Sequence, residues 1–471
     1  ARVYAYARAR VFTGDSTLTP PFCLREYQTR CASSDQTDWP EPALLKRIDK
    51  IAQEDAVLQE HRSPLVRVGA NCNRVEAGGR VGFLVTEALA VEVFPKWTWS
   101  GSTDMNQVRA NFVELLSYSR VFALPAGIDA TVERSKAPLG EWILHGMARQ
   151  LWHAIARGLA REYVGRTEPL CAVRGRIDLG RQVSSNMGID VPVWCRFDEY
   201  EADTPLTRLL SLHASLIARL AVTRMVRLLA LRCARELVGT APSANPTVDL
   251  ERLVWDRRND HFRPAIDSLK ILLTSGGLSS LRGKSPSWCV SVPMQDVFER
   301  YLARIVRGSS PSNSLVTAAT QRTVGYLSVA PKTFKQIADL VLQRSFGTVI
   351  VDAKYKVPKE GLKPSEADVR QVLTYAALWN QSSPSGPHCS TVALVYPRSF
   401  EGKVHAPRVW TSFLTTPLGA PVRILALSVP FGRKPSPEER DAIRADLENA
   451  WIEKLSPRDQ LLPERSPERV V

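Results

Sequence analysis

Apolar positions recur along this chain with two periods, and the switches between them divide it into three regions. From Leu65 to Pro95 the runs PLVRVG, GRVGFLVT and ALAVEVFP are short and Val-rich, with Ala77-Gly78-Gly79 as a turn between two of them. They read as strands. Glu41 to Glu60 carries Leu44, Leu45, Ile48, Ile51, Val57 and Leu58 at helical spacing, and Asn106 to Ser119 carries Val108, Phe112, Leu115 and Leu116. Both spacings predict amphipathic helices. Thr29 to Pro42 is polar and reads as a loop, and residues 1 to about 20 as a lone edge strand or poorly ordered chain. Residues 1–125 are therefore expected to form a mixed, mostly β region.

The middle, 126–286, is expected to be largely helical. Gly140 to Val164 has the spacing of a helix, Cys171 to Leu179 and Val191 to Phe197 read as strands, and Asp198-Glu199-Tyr200-Glu201 follows as an acidic run. Thr204-Pro205 has the form of an N-cap with proline at the first helical position. It opens a long helix studded with arginines up to Val238, and Val248 to Leu273 predicts a further helix.

The last region, 287–455, switches back and forth between the two periods. Val292 to Arg307 is an amphipathic helix with Phe298, Leu302 and Val306 inward and Glu299 on it. Strands are expected at 314–317 and 323–329, then at Ile337 to Leu342 and Thr348 to Tyr355 around a turn at residues 344–347. A basic loop (Lys356, Lys359, Lys363) leads to a helix at Asp368 to Asn380 and a strand at Ser390 to Pro397. Further strands at 408–413 and 422–429 and a closing helix at 435–453 complete a mixed α/β core. Residues 456–471 have the charged, proline-containing composition of a disordered tail.

Composition adds limits. At 471 residues the chain is long enough for two or three domains. With 44% hydrophobic and 23% charged residues it is of the soluble globular type. No uninterrupted apolar run reaches about 18 residues, and the N-terminus lacks the pattern of a signal peptide. The eight cysteines form no CxxC pair and the seven histidines no zinc-ligand spacing. A cytoplasmic location with free thiols, and no membrane, is the resulting expectation. The net charge of +14, carried mainly by arginine, favours a polyanionic partner.

Candidate chemistry concentrates between Lys335 and Trp379. Asp339 lies in one apolar strand and Asp352 in the next, with Lys354 two residues further on. Side chains at i and i+2 share a strand face, so Asp352 and Lys354 point the same way, and a hairpin can bring Asp339 beside them. Two carboxylates and an ammonium on buried strands must pair or hold a metal. Such a set suits Mg²⁺-assisted phosphodiester hydrolysis; the alternative is a salt-bridged surface hairpin. Gly283-Lys284-Ser285 imitates a phosphate-binding loop, but Gly277 lies six residues before Gly283 where five are needed, and no strand precedes it.

At Asp339…Asp352-Ala353-Lys354 the chain resembles the PD-(D/E)xK nuclease superfamily, and more narrowly the McrC family, the nuclease subunits of McrBC-type 5-methylcytosine restriction systems. The resemblance spans residues of about 65 to 400. It rests on an ordered set: Phe94-Pro95-Lys96, Leu115-Leu116-Ser117-Tyr118, Arg157-Gly158-Leu159, Arg174-Gly175-Arg176-Ile177-Asp178, Phe197-Asp198-Glu199, Phe298-Glu299, Asp352-Ala353-Lys354-Tyr355-Lys356, Gln371…Tyr375-Ala376 and Val395-Tyr396-Pro397. It implies a C-terminal PD-(D/E)xK fold behind an N-terminal partner-docking region. It assigns Asp339 and Asp352 to Mg²⁺, with the Ala353 carbonyl assisting and Glu299 reaching the metal through water. Lys354 would orient the attacking water and Gln371 would steady the site. The implied partners are a separate AAA+ GTPase of McrB type, whose hydrolysis the chain stimulates, and double-stranded DNA carrying modified cytosine. Ala338 stands where the superfamily has proline, and Arg370 where the family often has tyrosine. A catalytically silent docking subunit and a stand-alone nuclease are the other readings of the same residues.

Overall fold

The computed structural model describes residues 21–32, 39–58, 63–86, 88–97, 104–121, 137–159, 162–185, 192–274, 287–307, 315–329, 332–344, 347–357, 362–382, 388–400, 409–415 and 421–452. The expected edge strand before residue 20, the loop at 275–286 and the tail at 456–471 lie outside them.

The N-terminal elements are β1 (Phe22–Arg25), β2 (Thr29–Cys31), α1 (Pro42–Leu58), β3 (Val66–Val68), β4 (Arg74–Ala77), β5 (Arg80–Val85), β6 (Ala90–Phe94) and α2 (Met105–Tyr118). β2, β4 and β3 form a small sheet, so part of the polar stretch expected as a loop is a strand. β1, β6 and β5 form a second sheet, completed by β10 (Trp288–Pro293), which pairs antiparallel with β5. β10 follows the boundary expected at residue 287, yet its partner strand lies in the N-terminal region. Gly82 makes the pairing possible. At φ +143 a Cβ there would sit 2.0 Å from the Val290 carbonyl oxygen, so only glycine fits.

In the middle region α3 (Leu139–Ala156) stops eight residues short of the expected end, and β7 (Glu162–Leu170) takes the rest. β7 pairs with β9 (Val193–Glu201), which pairs in turn with β8 (Arg176–Ile177); α4 (Leu179–Ser185) lies between β8 and β9 in sequence. The acidic run at 198–201 is thus strand. The long arginine-rich helix is two helices, α5 (Pro205–Leu220) and α6 (Arg224–Glu236). Thr204 caps α5 as expected, in a reciprocal capping box with Thr207. The break is fixed by buried Glu141, which accepts hydrogen bonds from Val222 N (2.6 Å), Thr223 N (3.0 Å) and Thr223 Oγ1 (2.6 Å). α7 (Pro246–Glu251) and α8 (Arg263–Thr274) replace the single helix expected over 248–273.

The C-terminal region holds α9 (Met294–Arg307), β11 (Leu315–Val329), β12 (Lys332–Arg344), β13 (Gly347–Ala353), α10 (Glu366–Ser382), β14 (Cys389–Arg398), β15 (Val409–Thr415), β16 (Pro421–Pro430) and α11 (Pro437–Ile452). Its six-stranded sheet has the order β11-β12-β13-β14-β16-β15. The central pairs β13–β14 and β14–β16 are parallel and the outer pairs antiparallel. α10 is the crossover that two parallel neighbours require. Alternating side chains serve two cores. Val341, Ile350, Val392 and Leu394 pack with Val372, Tyr375 and Trp379 of α10. Leu340, Val351, Ala393 and Val395 face the larger core, to which Phe298 of α9 and Leu447 of α11 also belong. Burial on both faces explains why β13 and β14 read as near-continuous apolar runs.

Candidate active site

The β12–β13 hairpin has the register Leu340↔Val351 and Val341↔Ile350. One step beyond the paired residues, Asp339 and Asp352 come together at the open end of the hairpin, on the face covered by α10. Asp339 Oδ2 accepts a hydrogen bond from Ala353 N at 2.8 Å. Lys354 Nζ lies 2.6 Å from Asp352 Oδ2, as the i, i+2 spacing requires, and donates to Gln371 Oε1 at 2.8 Å. Gln371 in turn donates to the Tyr375 hydroxyl at 2.5 Å. Three expected residues and the helix glutamine are therefore in one connected set. Alongside it, Lys356 pairs with Asp368 at 2.5 Å.

Glu299 comes from α9, which β10 anchors to the N-terminal sheet. It reaches Asp339 through a shared donor: Gln321 Nε2 lies 2.9 Å from Glu299 Oε2 and 3.4 Å from Asp339 Oδ1. Gln295, one turn earlier on α9, donates to Glu299 Oε1 (2.9 Å) and to the Ala353 carbonyl (2.6 Å), and accepts from Tyr355 N (3.0 Å). Sequence reasoning missed both glutamines. The i, i+4 spacing of Gln295 and Glu299 was a usable signal. Gln321 gave none: it sits between two expected strands that are one strand, and it occupies φ +49 there, a conformation costly for a residue with a side chain and common at functional sites.

Electrostatics set this cluster apart. Burial, then the neighbouring Asp352 and Glu299 carboxylates, push the Asp339 carboxyl up to about 7. Burial also raises Asp352 and Glu299. For Lys354 burial alone would lower the ammonium, but Asp352 beside it overrides that and raises it. Three carboxylates thus face one ammonium. Asp352 is 2% exposed, and the Lys354 ammonium is the cation at its Oδ2. Among the described residues no group of three or more His, Cys, Asp or Glu side chains has the spacing to enclose a metal ion. Mg²⁺ does not need such a cage, since it keeps several waters and binds through one or two carboxylates. Asp339, Asp352 and the Ala353 carbonyl fit that smaller demand.

The segment just after β13 also touches the N-terminal sheet. Tyr355 donates its hydroxyl hydrogen to Glu26 Oε2 at 2.7 Å. The Lys96 ammonium lies among the rings of Tyr355 (4.8 Å), Tyr27 (5.7 Å) and Trp97 (5.8 Å). The Phe94-Pro95-Lys96 segment therefore supports the strand that bears Lys354.

Fold and site define a mixed α/β protein of several sheets with an acid-rich cluster on the hairpin of its largest sheet. The family model for the McrBC 5-methylcytosine restriction system component matches residues 75–397. The chain belongs to this family. Among solved structures it is similar to a chain of the refined half-complex from the tetradecameric assembly of Thermococcus gammatolerans McrB AAA+ hexamers with bound McrC. The TM-score is 0.69 at 19% identity, over 91% of this chain and 100% of that one. A chain of the cryo-EM structure of the Thermococcus gammatolerans McrBC complex aligns with a TM-score of 0.48 at 20% identity, over 62% of this chain and 89% of that one. No curated protein matches. Among the described residues no helix is long and apolar enough to cross a membrane.

Proposed function

We propose that the chain is the Mg²⁺-dependent DNA endonuclease subunit of a modification-dependent restriction system, acting with a separate AAA+ GTPase. One observation carries this reading: Lys354 Nζ is held between Asp352 (2.6 Å) and Gln371 (2.8 Å) while Asp339 is fixed beside them on the Ala353 amide. When bound by Asp339, Asp352 and the Ala353 carbonyl, Mg²⁺ supplies a polarised phosphate and a water of lowered pKa. Lys354, kept charged by Asp352, orients the attacking water and stabilises the negative charge that develops on the phosphate. Gln371 fixes the ammonium's direction, and Tyr375 fixes Gln371. Gln295 holds the Ala353 carbonyl, and Gln321 sets the distance between Glu299 and Asp339.

The partner follows from the family and from the assembly named for the similar McrC-containing structure. GTP hydrolysis belongs to the partner, and methylated cytosine in double-stranded DNA is the target that the family's description supports. Cleavage of methylated DNA, measured with the partner, GTP and Mg²⁺ present, tests the assignment. Asp352→Asn or Lys354→Ala is expected to abolish cutting while fold and partner binding persist. Full cleavage by either variant overturns the site. A wild-type chain that docks but never cuts is a silent docking subunit, and one that cuts without partner or GTP is a stand-alone nuclease.

A further inference from the structure

A cleft of about 1110 Å³ opens beside the acid cluster, with Glu299, Gln321 and Asp339 at one end. Its walls are the end of α2, one face of α9, β11 and the segment leading into α11. This volume exceeds that of most small-ligand pockets, which run to about 1,000 Å³. Besides Glu299 and Asp339 the lining carries Glu114 and Asp296, but its arginines and Lys434 outnumber these acids.

The arginines of α9 follow from the helix repeat. Phe298, Tyr301, Leu302 and Ile305 are buried, so Arg300, Arg304 and Arg307 fall on the opposite, exposed face on successive turns. None of the three is bonded to a carboxylate among the described residues. Arg300 donates to the Arg120 carbonyl (3.2 Å), Arg304 to the Tyr118 carbonyl (2.6 Å) and Arg307 to Thr320 Oγ1 (2.7 Å). Neutral acceptors orient these guanidinium groups. Arg304 also lies over the Tyr118 ring at 4.7 Å. On α6, Arg232 lies over the Trp152 ring at 3.9 Å and Arg227 holds the Ala221 carbonyl at 2.7 Å, but α6 does not line this cleft.

We propose that this cleft is the track of the DNA phosphodiester backbone to Asp339, with Arg300, Arg304, Arg307 and Lys434 as its phosphate-binding groups. A polyanion fits the basic stretch, and the acid end suits a ligand that meets a bound cation there. An acidic peptide would face repulsion at that end with nothing gained. Guanidinium groups spaced along one groove wall are the arrangement that follows a repeating phosphate chain. The proposal rests on the nuclease reading above, but its readout does not.

The test is binding of the full chain to a short fluorescein-labelled DNA duplex by fluorescence anisotropy, in EDTA so that nothing is cut, across a salt series. The double variant Arg300→Gln with Lys434→Gln is expected to weaken binding. The slope of log affinity against log salt should fall by about two, one for each phosphate that is no longer neutralised. The pair Arg224→Gln with Arg235→Gln on α6 should leave the slope unchanged. Arg300→Lys, which keeps the charge, should retain most of the binding, and an unchanged melting temperature separates a weakened phosphate track from misfolding. Wild-type affinity and slope in the cleft pair, or no measurable duplex binding by the wild-type chain, overturns the proposal. An Asp352→Asn chain that still cuts would remove the site assignment and leave these slopes to decide the cleft.

Discussion

Two buried carboxylates of this chain lie on strands beside a cation, and only one of them belongs to the candidate site. Glu92, on β6, is 0% exposed and Arg109 of α2 is 4% exposed. Their groups close on each other: Arg109 Nε and Nη2 reach Glu92 Oε2 at 3.0 and 2.9 Å. Leu139 N donates to Oε1 at 2.5 Å, and Arg109 Nη1 is taken by Asn106 Oδ1 at 3.0 Å. One negative charge meets one positive charge and the donors are used. On β13, Asp352 has Lys354, but Asp339 and Glu299 add two more acids and open onto a cleft rich in arginine. A balanced pair has no further capacity to bind. An unbalanced one, held in place by amides, is what the proposed cation binding rests on. The lesson is that burial of an ion pair says little, and the charge left over says much.

Substitution should separate the two pairs in kind. The largest effect is on cleavage: Lys354→Ala is expected to cost at least about a hundredfold in rate, with a smaller loss in chemical denaturation than Glu92→Ala, because Asp352, whose carboxyl burial already raises, can take up a proton. Glu92→Ala should do the reverse. It leaves Arg109 buried without a partner, and unfolding by urea should show a loss of about 3–5 kcal/mol, with a Lys354-centred site intact in whatever fraction remains folded. Equal destabilisation by both variants would erase the comparison.

Buried His213 on α5 offers a third case, a titratable group with no charge partner. It is 0% exposed, neither ring nitrogen has a hydrogen-bond partner among the described residues, and burial lowers it to about 3. It is neutral in the fold, whereas in the unfolded chain it protonates near 6.5. The unfolded state therefore binds the extra proton between those values, and stability is withdrawn as pH falls below about 6.5. Urea unfolding at pH 6.5 and pH 5 should differ by about 2 kcal/mol from this group, and His213→Leu should remove that difference. The smallest expected effect has the opposite sign to that of Glu92. Asp339→Asn removes one of three crowded carboxylates, so thermal unfolding in EDTA should show a gain of about 1 kcal/mol. A clear loss instead would mean that the Ala353 amide, not acid crowding, dominates at Asp339.

Much of this molecule was legible in the residues. The periods placed α1, α2, α9, α10 and the β12–β13 hairpin, because each buries one face or both against a core and its apolar spacing records that. The alternation of a strand fixed Asp352 and Lys354 on one side before any fold was known, and Thr204-Pro205 announced its helix start through local hydrogen bonding alone. Where elements end against distant groups, the residues were silent. The break between α5 and α6 depends on Glu141 accepting from Val222 and Thr223, an interaction between positions far apart in sequence. β7 replaced an expected helix end by pairing with β9, a strand remote in sequence that no local spacing announces.

The amino-acid sequence by itself determined the residue set: two acids and a lysine at the ends of apolar strands, with a helix glutamine to follow. Those are properties of short segments, set by side-chain type and by the two-residue repeat of a strand. Only the tertiary structure decided the excess of negative charge at Asp339, the roles of Gln295 and Gln321, and the basic cleft beside them. Each of these joins segments from α2, α9, β11, β12 and the approach to α11. Coulomb interactions and hydrogen bonds act through distances in space, and no local pattern encodes which remote segments will share a site.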